Sequence, residues 1–159
     1  MTTLYVREGD NFREAGAQDV LDRANALISQ RYRTGAPVLS SPARTREFLR
    51  LRLGALDHEI FAVLFLDNRH RLIEYVELFR GTIDGASVHP REVVKEAIAR
   101  GAAAVVFCHC HPSGISTPSQ ADELITRRLR DALALVEIRV LDHFIVGETI
   151  ASFAELGIL

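Results

Sequence analysis

Apolar positions fall in two textures along the chain. In residues 1–40, Val20, Leu21, Ala24, Leu27 and Ile28 recur at spacings of three and four, which predicts a helix over Asp19–Tyr32. Gly35-Ala36-Pro37 predicts its end. A second helix is predicted after Ser41, with Pro42 at its first position, running to about Leu53. The rhythm then shortens. Glu59–Leu66 is apolar at every position after the glutamate, as expected of a central strand buried on both faces. Asp67–His70 is turn chemistry, Leu72–Phe79 returns as a strand, and Gly81–Val88 is a loop. Pro90 opens a helix to about Arg100, with Glu92 in its first turn and Gly101 at its stop. A buried strand over Ala102–His109, a polar loop over Pro112–Pro118 and a helix from Ser119 to about Leu135 follow. Val136–Val146, alternating with charged residues, is the final strand, and residues 148–159 close the domain. Strands alternating with helices predict an α/β (mixed α+β) fold, a mixed sheet covered by helices. The expected organisation is an N-terminal helical extension, residues 1–40, ahead of one domain over 41–159.

Composition narrows the class. At 159 residues the chain has room for one sizeable core, and its 48% apolar and 25% charged content is that of a soluble globular protein. The net charge of −2 gives no general reason to expect nucleic acid or an anionic membrane. Apolar runs such as Ile60–Leu66 are too short to cross a bilayer, so no membrane association is expected. The opening residues lack the apolar stretch of a secretory signal, and two cysteines one residue apart make no disulfide framework. The expected compartment is the cytoplasm. Of the 19 basic residues, all but Lys95 are arginine. Arg44, Arg46, Arg50 and Arg52 interleave with Phe48, Leu49 and Leu51, which predicts a basic, solvated helix face.

The chemistry concentrates at Cys108-His109-Cys110-His111-Pro112-Ser113-Gly114, followed by Ser119-Gln120-Ala121-Asp122. Residues i and i+2 of a strand share a face, with origins roughly 6.6 Å apart. His109 and His111 therefore project together and can meet one ion, with Cys108 and Cys110 turned to the other face. The cysteine pair has no further cysteine to complete a thiolate site. Asp122 supports two readings. Ser119-x-x-Asp122 ahead of Leu124-Ile125 resembles a helix capping box. An acid at a helix start, facing two paired histidines across one loop, is also what a three-ligand zinc site with an open fourth position requires. From the residues alone, a zinc site and a pair of hydrogen-bonded strand histidines both stay open. Glu59 is either a solvated carboxylate beside His58 or a general base, with Glu74 and Glu77 as rivals. His143 has an internal hydrogen bond as its default, His89 is a loop residue, and His70 sits in an exposed turn.

The spacing His109-x-His111, seven residues, Ser119, two residues, Asp122, with an acid far upstream, resembles the JAMM (JAB/MPN) metalloprotease superfamily. Within it the chain is most similar to the RadC-like JAB domain, through Phe65-Leu66-Asp67, Arg80-Gly81-Thr82, His89-Pro90-Arg91-Glu92, His111-Pro112-Ser113-Gly114 and Asp142–Gly147. The similarity covers about residues 40–159. It implies a curved mixed sheet flanked by helices, akin to the cytidine-deaminase-like arrangement. It implies Zn2+ held by His109, His111 and Asp122, with Glu59 as the upstream acid and Ser119 supporting the water or the developing oxyanion. The implied activity is zinc-dependent hydrolysis of peptide, isopeptide or related amide bonds, on a peptide or protein substrate the sequence does not identify. Two departures stand out: Cys110 occupies a position where Asn is usual, and no Gly-x-Gly hairpin appears for a DNA-binding module.

A reading from another class is a DNA-repair-associated or mobile-element accessory protein with a structural or vestigial zinc. Arg44–Arg52 and Arg127, Arg128 and Arg130 speak for it; the net charge and the missing hairpin speak against, so DNA is not the favoured partner. A pseudo-enzyme scaffold would lack a motif position, and none is lacking here. Oligomeric state is not legible, and a homodimer stays open.

Overall fold

The computed structural model describes residues 3–9, 11–34, 41–54, 58–81 and 88–159. The expected helix break at Gly35-Ala36-Pro37 and most of the expected loop after Gly81 lie outside the described residues. Residues 1–35 and 36–159 form two compact units. In the first, strands β1 (Tyr5–Glu8) and β2 (Asn11–Glu14) pair as an antiparallel hairpin, followed by helix α1 (Ala17–Thr34). The hairpin was not expected in a segment read as helical. Gly9 makes its turn at φ 64°, a conformation open to glycine.

The second unit runs α2 (Pro42–Leu53), β3 (Ile60–Leu66), β4 (Leu72–Arg80), α3 (Pro90–Ala99), β5 (Ala104–Cys110), α4 (Gln120–Ala134), β6 (Arg139–Val146), β7 (Ile150–Ser152) and α5 (Phe153–Leu156). The five strands form one mixed sheet in the order β4-β3-β5-β6-β7. Only β5 and β6 are parallel, joined through α4; the other pairs are antiparallel. β3 and β5, at the heart of the sheet, are buried at every position, which is why both are near-continuous apolar runs.

Alternation sends side chains of each strand to two cores. On one face Phe61, Val63 and Phe65 of β3 and Val105 and Phe107 of β5 pack with Val93 and Ala97 of α3 and Ile125, Leu129 and Leu133 of α4. On the other, the Phe48 ring of α2 meets Tyr75 of β4 edge-on, 5.6 Å between centroids. The basic face expected on α2 is only partly solvated. Arg44 and Arg50 are exposed, but Arg46 pairs with Glu155 and lies over the Phe144 ring, and Arg52 lies over Phe48 and Tyr75. A guanidinium plane is weakly hydrated for a cation and stacks on aromatic faces. Among the described residues no helix is long and apolar enough to cross a membrane.

Candidate metal centre

Register assembles the site. β3 and β5 pair antiparallel with Phe61 opposite His109. Glu59, two residues before Phe61, therefore lies on the same face and at the same end of the sheet as His109. β5 ends at Cys110, so His111 stands one position past the strand. Its amide still bonds to the Val146 carbonyl of β6, at 2.8 Å, and continues the ladder. The two imidazoles meet at right angles with centroids 4.6 Å apart. The chain then crosses the 112–118 loop and enters α4, whose third residue, Asp122, is fully buried against them.

The capping box expected at Asp122 is present, and the same carboxylate lies beside both histidines. Ser119 is the N-cap of α4: its hydroxyl accepts from the Asp122 amide at 3.1 Å, and the Ser119 amide donates to Asp122 Oδ2 at 2.8 Å, completing a capping box. The Ser119 hydroxyl donates to the same Oδ2 at 2.7 Å. Oδ1 remains for the cluster and lies 3.0 Å from His109 Nδ1. Burial alone would raise the Asp122 carboxyl. The bonds from His109 and from the Ser119 hydroxyl and amide outweigh burial and hold it well below the usual carboxylate range. The helix N-terminus favours the same anion.

The acceptors fix the histidine tautomers. A carboxylate only accepts, so His109 Nδ1 carries a proton toward Asp122. His111 Nδ1 lies 2.7 Å from the Ile115 carbonyl, which also only accepts. For His111 this leaves the Nε2 lone pair for a ligand while the other nitrogen is held by an oxygen; His109 meets Asp122 through Nδ1 in the metal-free arrangement, and an ion shared by the two would take the place of that proton. His111 Nε2 lies 3.8 Å from Asp122 Oδ2, and His109 Nε2 lies 3.9 Å from Glu59 Oε2. Among the described residues, His109, His111 and Asp122 bring one potential ligand atom each within 4.8 Å of one another. Donors on 2.1 Å bonds around tetrahedral zinc stand about 3.4 Å apart, so holding an ion calls for the cluster to draw in from its widest separations. The donor set suits a divalent ion, and so does Glu59 Oε2, a buried carboxylate oxygen with no hydrogen-bond partner.

The remaining candidates sort by position. Glu74 bonds Arg100 at 2.7 Å, and Glu77 bonds Tyr75 and Arg80, so both rivals of Glu59 are engaged elsewhere. Cys110 points away from the histidines. Its sulfur accepts from the Ile60 amide and donates to the His58 carbonyl, and burial pushes both Cys110 and Cys108 up, keeping them thiols. His89 is exposed at the N-cap of α3 without a side-chain cap bond. His70 is half-buried in a left-handed turn at φ 57°, less exposed than the sequence suggested. His143 is fully buried and bonds Thr126.

A five-stranded mixed sheet flanked by helices, with His-x-His closing its middle strand and a carboxylate opening the next helix, defines a JAB/MPN-type domain. The family model described as RadC-like JAB domain matches residues 39–158, and the chain belongs to that family. It is similar to UPF0758 proteins of Thioalkalivibrio sulfidiphilus (59% identical over 145 residues, 91% of this chain and 65% of that protein) and Vibrio cholerae (59% over 138 residues, 87% of each). A third, from Marinobacter nauticus, is 56% identical over 157 residues, 98% of this chain and 70% of that protein. The chain thus spans about two thirds of the first and third of these relatives. The relatives' names state no activity.

Proposed function

We propose that the chain is a zinc-dependent hydrolase of peptide, isopeptide or related amide bonds, with His109, His111 and Asp122 as the ligands. One observation carries this reading: a buried, orphaned carboxylate oxygen of Glu59 faces the open Nε2 of His109 beside a buried anionic Asp122. Held there, zinc supplies Lewis acidity and activates water near neutral pH.

The chain's own groups do the rest. Asp122 contributes the negative charge, and Ser119 fixes its orientation through two bonds to Oδ2. The Ile115 carbonyl holds the His111 imidazole with Nε2 forward. Glu59 takes a proton from the attacking water and returns it to the leaving amine, so that water and amide become acid and amine with no proton lost to solvent. In the described arrangement the Ser119 hydroxyl proton is committed to Asp122. Donation to the tetrahedral oxyanion requires that hydroxyl to rotate, so orienting the ligand is its resting role and stabilising the oxyanion its role during turnover. The two free, buried cysteines suit a reducing cytoplasm.

The test is hydrolysis of a fluorogenic peptide and isopeptide library by zinc-loaded wild type and Glu59→Gln. Activity in the wild type and none in the variant, at equal zinc content, supports the reading. Equal turnover in both removes Glu59 as the base. No turnover by zinc-loaded wild type, with salt-dependent DNA binding in its place, would move the accessory reading forward.

A further inference from the structure

Strand β6 carries a fully buried imidazole that the reaction above does not use. His143 pairs across the β5–β6 ladder with Phe107, two residues before His109, so it sits on the same face of the sheet, one position deeper. The rings of Phe61, Phe107 and Phe153 surround it, with centroids 5.6, 5.9 and 4.7 Å away. Its Nδ1 lies 2.7 Å from Thr126 Oγ1, which lies 2.5 Å from the backbone carbonyl of Asp122. The direction of this chain is determined. A carbonyl only accepts, so the one hydroxyl proton of Thr126 goes to Asp122, and His143 Nδ1–H donates to Thr126.

The opposite nitrogen, Nε2, is buried without a hydrogen-bond partner. An unpartnered acceptor in an aromatic pocket is destabilising, and phenylalanine would fill the space without one. What the imidazole provides that a hydrocarbon cannot is the Nδ1–H. Burial, and next the nearby His109, keep the ring neutral by pushing it down to about 3, so it adds no charge beside a cation.

We infer that His143 and Thr126 are positioning residues of the metal site. Their hydrogen-bond chain sets the rotation and register of the first turn of α4 against β6, and so aims the Asp122 carboxylate at His109. Ile125, Leu129 and Leu133 attach α4 to the sheet through apolar contacts. Such contacts are non-directional and tolerate small slides and rotations of a helix. A directional bond in a low-dielectric interior does not. Ligand geometry needs tenths of an ångström, and this chain ends on the backbone of the ligand itself.

The inference rests on the metal reading proposed above, and the experiment separates the two. Zinc affinity is measured by competition with a chromophoric chelator for wild type, Thr126→Val, Thr126→Ser and His143→Phe. The metal-free stability of each is measured in parallel by urea unfolding with EDTA. Thr126→Val keeps shape and removes the hydroxyl; the expected result is zinc binding weakened about tenfold, with Thr126→Ser restoring it. A folded Thr126→Val that binds zinc as wild type does, whatever its urea midpoint, makes the chain a stability element and overturns the inference. If Thr126→Val does not fold, His143→Phe gives the same reading. Failure of both to fold assigns the pair to stability and also overturns it. A wild type that binds no zinc removes the metal reading itself, a different result from equal binding by wild type and variant.

Discussion

Gly147 lies in the turn between β6 and β7, outside the ligand set, yet a single methyl group there should loosen the metal site. A Cβ on Gly147 would stand 2.3 Å from the Gly114 carbonyl oxygen, 2.7 Å from its carbon and 3.0 Å from the Ser116 amide. All three are backbone atoms that no rotamer change can move. Ordinary contact begins near 3.4 Å, so the 112–118 loop has to retreat by about 1 Å in Gly147→Ala. That loop is tied down by the Glu148 amide on the Gly114 carbonyl, at 2.8 Å, and by the Ile115 carbonyl on His111 Nδ1, at 2.7 Å. A 1 Å retreat stretches both bonds out of range. Overpacking of this kind costs about 1–3 kcal/mol, which for a chain of this size lowers the melting midpoint by about 3–10 °C. Freed from Ile115, His111 no longer has its ring and tautomer fixed, and zinc affinity should fall by about 10–100-fold. Differential scanning calorimetry of the metal-free protein and chelator competition for zinc read the two effects separately. Wild-type melting together with wild-type zinc affinity in Gly147→Ala would refute the reasoning, because the clash would then be relieved without disturbing the loop.

Other perturbations probe other parts of the site. Glu59→Gln should retain about one zinc per chain by elemental mass spectrometry while losing turnover, because the amide preserves shape but accepts no proton. Ser119→Ala removes the cap acceptor of α4 and one of two donors to Asp122 Oδ2; it should lower metal-free stability by about 1 kcal/mol in urea titrations and weaken zinc binding. Burial pushes His143 down to about 3 in the folded chain from 6.5, so below pH 6.5 the unfolded chain binds a proton that the folded chain does not, and stability falls as pH drops toward 3. The metal-free wild type should lose stability over that range with a slope exceeding that of His143→Phe by up to about 1.4 kcal/mol per pH unit, and equal slopes would contradict a neutral buried ring. Asp122 has the same sign of effect, displaced to pH values below its ordinary carboxylate range.

Much of the site was legible because its information is local. The Ile60–Leu66 and Ala104–Phe107 runs announce buried central strands, and the distance from His109 to Asp122 is set by one loop within one strand–loop–helix unit. What escaped depends on pairing between distant segments. Residue pattern alone did not separate Glu59 from Glu74 or Glu77; the resemblance favoured Glu59, and the register of β3 against β5, Phe61 opposite His109, supplies the physical reason. The irregularity between Val105 and Val106 shifts β5 from Val140 to Asp142, skipping Leu141, and so puts His143 opposite Phe107; no period along the sequence shows it. The hairpin at Tyr5–Glu14 is short and mostly exposed, so it has little apolar alternation to betray it. The arginines of α2 looked like a solvated stripe because spacing does not distinguish a hydrated guanidinium from one stacked on Phe48, Tyr75 or Phe144. The capping box and the ligand set looked like rivals for Asp122, but a carboxylate has two oxygens: Oδ2 serves the helix and Oδ1 faces the histidine.

The central claim is that His109, His111 and Asp122 hold a catalytic zinc. It is tested most directly by elemental mass spectrometry of protein purified without chelators from zinc-replete cells, with a folded His109→Ala/His111→Ala variant alongside. About one zinc per wild-type chain and none in the variant is the predicted result. Equal metal content in the two, or none in the wild type after reconstitution, would contradict it.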